Sequence, residues 1–150
     1  MSEHRAHIDW ERESEDFRYD SFNRSHVWSF EGGQRVEASA AAAYQGDHER
    51  VDPEEAFVAS IASCHMLTFL SVAARKRLVV DRYRDDAVGK LADKGEGELA
   101  VTQVVLHPRI DFAGAPPSAE ELARLHELAH KHCFIANSVT TEILVEPETA

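Results

Sequence analysis

Residues 52 to 77 read Asp52-Pro53-Glu54-Glu55-Ala56-Phe57-Val58-Ala59-Ser60-Ile61-Ala62-Ser63-Cys64-His65-Met66-Leu67-Thr68-Phe69-Leu70-Ser71-Val72-Ala73-Ala74-Arg75-Lys76-Arg77, and this stretch decides the fold. Asp52 is suited to cap a helix, Pro53 to open it, and Glu55 to reach back to the cap's N–H. From Ala56 to Ala74 no residue carries formal charge with His neutral, and Arg75-Lys76-Arg77 then supplies cations where a helix dipole favours them. The pattern predicts one long helix, apolar nearly all round and therefore buried. Its uncharged run approaches the ~20 residues of a membrane span. Ser60, Ser63, His65, Thr68 and Ser71 are a heavy polar load for lipid, however, and the flanks read as soluble strands. A chain of 150 residues can hardly cover such a helix on every side. A second copy is expected to cover the rest, making a homodimer with a large apolar interface.

Upstream, Arg5 to Glu11 alternates, with Ala6, Ile8 and Trp10 on one face, and reads as a strand. Further strands are expected near Ser25–Phe30 and Gln34–Ala40, joined at Gly32-Gly33, with a loop from Tyr44 to Val51. Downstream, Leu78–Leu91 and Leu99–Phe112 read as strands or strand pairs about the turn Lys94-Gly95-Glu96-Gly97. Pro116-Pro117-Ser118-Ala119-Glu120-Glu121 opens a second helix, with Ser118 and Glu121 as its capping box. Leu122, Leu125, Ala129 and Cys133 fall on one face of it, so Cys133 points inward if the helix extends that far. Thr140–Val145 closes the chain as a strand. Strands cluster rather than alternate with helices. The expected class is α+β, an antiparallel-rich sheet packed with two main helices in a single domain over residues 1–150.

The formal net charge of −11 repels phosphate backbones and anionic lipid, so neither nucleic acid nor membrane is an expected partner. Two cysteines are too few for a secreted disulfide scaffold or a four-cysteine zinc site. The charged start Met1-Ser2-Glu3-His4-Arg5 lacks the apolar run of a signal peptide, and the cytoplasm is the expected location. In a reducing compartment a cysteine pair is either idle or redox-active.

Cys64 lies mid-helix, and a buried free cysteine is ordinarily an inert small hydrophobe. A reactive thiol needs positive charge close by, and His65 points about 100° away around the helix, so an arginine from elsewhere must supply it. A rival motif is His126-Glu127-Leu128-Ala129-His130, a literal match to His-Glu-x-x-His, in which two histidines bind zinc and the glutamate acts as base. It lacks an evident third ligand. The positions where the longer metzincin pattern needs glycine and histidine hold Cys133 and Ala136.

The run from Val51 to Leu67 resembles the signature helix of the osmotically inducible protein C and organic hydroperoxide reductase family, which carries Asn-Pro-Glu-Glu/Gln, an Ala-rich run and then Cys. Ala129-His130-Lys131-His132-Cys133 is similar to that family's Ala-His-x-x-Cys, which accounts for His130 without zinc. The resemblance covers roughly residues 6 to 146. It implies an intertwined homodimer and reduction of organic hydroperoxides by a peroxidatic cysteine, Cys64. It also implies a disulfide to a second cysteine, Cys133, reopened by an external dithiol, lipoyl-type in some members. No bound cofactor or metal is implied. Of the family's arginine and glutamate, Glu54 matches the glutamate and Arg24 best matches the arginine, with Arg18 as fallback.

Four departures mark a divergent member. Asn23-Arg24-Ser25-His26 lacks the Gly-rich turn, Asp52 replaces asparagine, His65 replaces the phenylalanine of several members, and Phe134 stands where many have proline. Glu54 and Cys64 stand ten residues apart on one helix, roughly 15 Å along its axis, so Glu54 is expected to meet Arg24 at the partner's Cys64 or through a bridging arginine. The competing expectations are an apolar-ligand-binding protein with idle cysteines and a zinc hydrolase using His126, Glu127 and His130.

Overall fold

The computed structural model describes residues 1–148, and packing divides the chain into two compact units, Met1–Ala56 and Phe57–Ala150. The class is α+β, with two helices and mainly antiparallel strands.

The first unit is a three-stranded antiparallel sheet in the order β1 (Ala6–Asp9), β2 (His26–Phe30), β3 (Arg35–Ala38). Gly33 adopts φ +82° in the β2–β3 turn, a conformation that glycine takes without a Cβ penalty. β1 is shorter than its alternation suggests, and all four of its residues are exposed. Alternation therefore marked the strand without marking a buried face, because nothing in its own unit covers either face of β1.

After β3 the chain makes a closed excursion. Ser39 N–H donates to Val51 O at 3.0 Å, and Val51 N–H donates to Glu37 O at 3.2 Å. A short 3-10 turn at Ala42–Tyr44 precedes the expected loop. Gly46 lies so close to its neighbour that a Cβ there would sit 1.5 Å from the Ala40 carbonyl oxygen. Backbone on both sides leaves nothing to rotate away. Gly46→Ala is expected to destabilise the protein by about 3 kcal/mol or more, whereas Gly33→Ala carries only the positive-φ penalty of about 1 kcal/mol. Thermal unfolding of the two variants checks the difference.

Helix α1 (Pro53–Arg75) opens on the reciprocal box that its sequence implies. Glu55 N–H donates to Asp52 Oδ1 at 2.7 Å, and Asp52 N–H donates to Glu55 Oε2 at 3.1 Å.

In the second unit β4 (Val80–Asp85) pairs antiparallel with β7 (Pro108–Phe112). The other sheet runs β5 (Val88–Asp93), β6 (Leu99–Leu106), β8 (Glu142–Val145), with β6–β8 parallel. Each stretch read as a strand or strand pair thus holds two strands, and each strand pairs with one from the other stretch. Helix α2 (Ala119–His132) is capped by Ser118, whose hydroxyl accepts from Glu121 N–H at 3.2 Å.

One chain covers α1 on one face only, as expected of a helix too apolar for a chain of this length to bury. Within one chain its buried residues are Ile61, His65, Phe69 and Ala73, a stripe at four-residue spacing. Leu67, by contrast, is 58% exposed. The stripe serves two cores. Ile61 packs with Val104 and Leu106 of β6, whereas Phe69 and Ala73 pack with Ile110 of β7 and Leu125 and Ala129 of α2. His65 lies between the two. Of the polar load on α1, three hydroxyls are satisfied by the helix itself: Ser60 donates to Phe57 O, Thr68 to Cys64 O and Ser71 to Leu67 O, at 2.7 to 2.9 Å. Among the described residues α1 is the one helix long and apolar enough to cross a membrane by length and composition. It also contributes to two apolar cores of its unit.

Candidate active site

The two helices of the second unit bring its thiols together. Cys64 is partly exposed near the middle of α1, and Cys133, 1% exposed, forms the C-cap of α2. Both are free thiols, and they lie 3.1 Å apart. The helix does reach Cys133, and the face containing Leu125, Ala129 and Cys133 is buried as its spacing requires. Cys133 is pinned by the chain that follows. Its sulfur accepts from Ala136 N–H at 3.4 Å, and its carbonyl accepts from Asn137 N–H at 3.0 Å, at a short 3-10 turn over Ala136–Ser138. Burial raises the Cys133 thiol to about 11, opposed by the Ala136 N–H and reinforced by Cys64. Cys133 is therefore a neutral thiol near pH 7, and Cys64 is the one with access to solvent.

One residue beyond Cys64, His65 is buried against His126 of α2. His65 Nε2 and His126 Nδ1 share a hydrogen bond of 3.0 Å, and the rings are near-parallel, 8° between planes with centroids 5.4 Å apart. Phe69 also packs on His126, with centroids at 4.6 Å. Both imidazoles are lowered to about 4, mainly by burial, and His65 is lowered further by the neighbouring His126 and His130. Each ring is therefore neutral near pH 7, one donating its N–H and the other accepting.

This arrangement does not fit the zinc reading. His126 faces inward to His65, whereas His130 and Glu127 are exposed. Among the described residues no three His, Cys, Asp or Glu side chains gather in a way that could hold a metal ion. The motif is the accident of one buried and one solvated histidine on the same helix. The His65–His126 pair itself escaped the sequence reading. Its signal was His65 standing in the Ile61–Phe69–Ala73 stripe, where every neighbour is apolar.

In the first unit Arg24 is held by its own loop. Its guanidinium donates to Phe22 O at 2.6 Å and to Tyr19 O, and lies 3.8 Å from the centre of the Phe22 ring. The Arg24 carbonyl accepts from His26 Nδ1 at 2.7 Å, and His26 Nε2 accepts from Trp28 Nε1–H at 2.8 Å. Those two partners fix His26 as the Nδ1–H tautomer. Trp10, Phe17 and Phe22 pack edge-on and tilted into an aromatic cluster, and Trp10 Nε1–H donates to Asn23 O at 2.7 Å. With Arg24 and His26 they line an open, mostly apolar hollow of about 330 Å³. Arg18, the fallback, is instead exposed and paired with Asp16 at 2.7 Å. Glu54 sits in the first turn of α1, half-buried, and among the described residues no ion pair joins it to Arg24 within one chain.

Comparison with known proteins adds a family. The model of OsmC-like proteins matches residues 46–148. No curated protein matches the chain. An OsmC-like protein of unknown function from Vibrio cholerae is 46% identical, with 99% of this chain and 100% of that one covered and a TM-score of 0.94. Two further structures share the fold at lower identity. An organic hydroperoxide resistance protein from Elizabethkingia anophelis has 20% identity, 85% and 89% coverage and a TM-score of 0.68. One from Legionella pneumophila has 17% identity, 100% and 98% coverage and a TM-score of 0.72. With the match spanning most of the chain, and with the capped α1 and the paired thiols in place, this protein belongs to the family of OsmC-like proteins.

Proposed function

We propose that this protein is a thiol-dependent peroxidase that reduces organic hydroperoxides to alcohols. The observation that carries the reading is the contact between two free thiols, one partly exposed and one buried, in an OsmC-like chain. Cys64 attacks the terminal oxygen of the hydroperoxide as a thiolate. An S–O bond forms, the O–O bond breaks, and the alkoxide leaves and takes a proton to become the alcohol. Cys133 then attacks the sulfenic sulfur, forming the Cys64–Cys133 disulfide and releasing water. An external dithiol returns both thiols and is itself oxidised. No resident cofactor or metal enters this cycle.

Arg24 is assigned to hold the thiolate and the departing alkoxide, with Glu54 steadying it. Among the described residues no Arg24–Glu54 pair forms within one chain, so in this reading a homodimer completes the site, in the reducing cytoplasm. The apolar, Arg-edged hollow favours a bulky organic hydroperoxide over hydrogen peroxide. The same hollow also favours a second reading, a binding protein for an apolar ligand with idle cysteines.

Intact mass after one equivalent of cumene hydroperoxide separates the two. Wild type is expected to lose about two mass units as the disulfide closes, and Cys133→Ser to consume about one equivalent, stall as a sulfenic acid and drift to sulfinic acid. A wild type that keeps both thiols free establishes the binding reading instead.

A further inference from the structure

We infer that the His65–His126 hydrogen bond is a positioning device for the thiol pair, setting where α2 crosses α1 so that Cys133 stays in contact with Cys64. The purpose of the device rests on the thiol chemistry proposed above, whereas its test does not involve peroxide. Two polar contacts join the same two helices, beside the apolar packing of Phe69 and Ala73 on Leu125 and Ala129. His65 follows Cys64 directly on α1, and His126 precedes Cys133 by seven residues on α2. Seven residues are two turns, so His126 and Cys133 share a face of α2 and stand roughly 10 Å apart along it. Adjacent residues of α1 thus meet two separated points of α2, which requires the helices to cross rather than run side by side. To the apolar contact of Phe69 and Ala73 with Leu125 and Ala129 the histidine bond adds a directional one, two turns from the thiols. Cys133 caps the end of α2, where the following 3-10 turn holds it locally, and the upstream bond to His65 sets how that capped end approaches α1.

The energetics point the same way. His65 Nδ1 and His126 Nε2 are buried without a hydrogen-bond partner. An apolar pair of similar volume would fill the same space, among Ile61, Phe69, Leu125 and Ala129, and leave no orphaned nitrogen. What the apolar pair cannot supply is direction. Packing selects a crossing angle only to within about 15–20°, whereas a 3.0 Å hydrogen bond between ring nitrogens adds a fixed donor–acceptor direction at one point.

The test compares variants that keep the bond with one that keeps only the packing. His126→Asn puts an amide where Nδ1 stood, and His65→Gln puts one where Nε2 stood. The double substitution His65→Phe and His126→Leu fills the space without a bond. Each protein is equilibrated with mixtures of oxidised and reduced dithiothreitol, and the Cys64–Cys133 disulfide is counted by intact mass after acid quenching. Oxidised dithiothreitol takes two hydrogens from the thiol pair, so no peroxide is involved. The double variant is expected to fold by circular dichroism and to lower the disulfide equilibrium constant about fivefold or more, with the bond-keeping variants within about threefold of wild type. A folded double variant that pairs its thiols as wild type does overturns the inference. So do bond-keeping variants as impaired as the double one, a double variant that does not fold, or a wild type that forms no disulfide. A wild type that pairs its thiols here yet leaves cumene hydroperoxide untouched refutes the peroxidase reading and leaves the positioning role standing.

Discussion

Cys64→Ser is expected to consume no organic hydroperoxide, even in a single turnover, a loss of on the order of 10³ or more in rate. Sulfur attacks peroxide oxygen as a thiolate, and one arginine cannot hold a serine hydroxyl as an anion near neutral pH. The replacement changes one atom on a partly exposed position of α1, so the fold is expected to survive it. Cys133 cannot substitute. Its thiol is raised to about 11 and it is 1% exposed, so it is neither ionised nor accessible at pH 7. Peroxide consumption followed with xylenol orange, beside circular dichroism of the same sample, checks both halves of the expectation. A Cys64→Ser protein that reduces peroxide at the wild-type rate ends the peroxidase reading.

Acidification from pH 7 to pH 4 is expected to remove a large share of the folding stability. His65 and His126 are each lowered from 6.5 to about 4, mainly by burial. Between those values the unfolded chain binds protons that the folded one refuses, so stability rises with pH in that window and levels off above about pH 7. Falling pH therefore withdraws the contribution as it passes from 6.5 towards 4. The two rings share one hydrogen bond, and protonating the acceptor turns it into a second donor, so the first proton does most of the damage. One such shift corresponds to about 3 kcal/mol, against a typical total of 5–15 kcal/mol. Asp85, raised mainly by burial, works in the opposite sense and offsets part of the loss. Urea unfolding at a series of pH values measures the slope. The His65→Phe and His126→Leu double variant should flatten it between pH 6.5 and 4, and an unchanged slope would show that the acid sensitivity lies elsewhere.

The cap of α1, its length, the inward face of α2 and the clustered strands were all legible in the sequence, because each depends on residues within a few turns of one another. Asp52 and Glu55 are three apart, and Leu125, Ala129 and Cys133 repeat at the helical period, so local geometry alone places them. The thiol pair was legible only through resemblance to a family. Nothing in the spacing of Cys64 and Cys133 brings them to 3.1 Å. What local pattern could not decide was which face of each element the rest of the chain would cover. α1 reads as apolar all round, and only packing against β6, β7 and α2 selects Ile61, His65, Phe69 and Ala73 as its buried stripe. β1 alternates as a half-buried strand does, yet every residue of it is exposed, because nothing in its own unit covers either face. The histidines show the same division most clearly. By sequence His126 belongs with His130, one turn along the same helix, whereas in the fold it belongs with His65, sixty-one residues away. Partners on one helix follow from its period, but partners on two helices follow from how those helices cross, and a crossing is set by the summed packing of side chains distant in sequence.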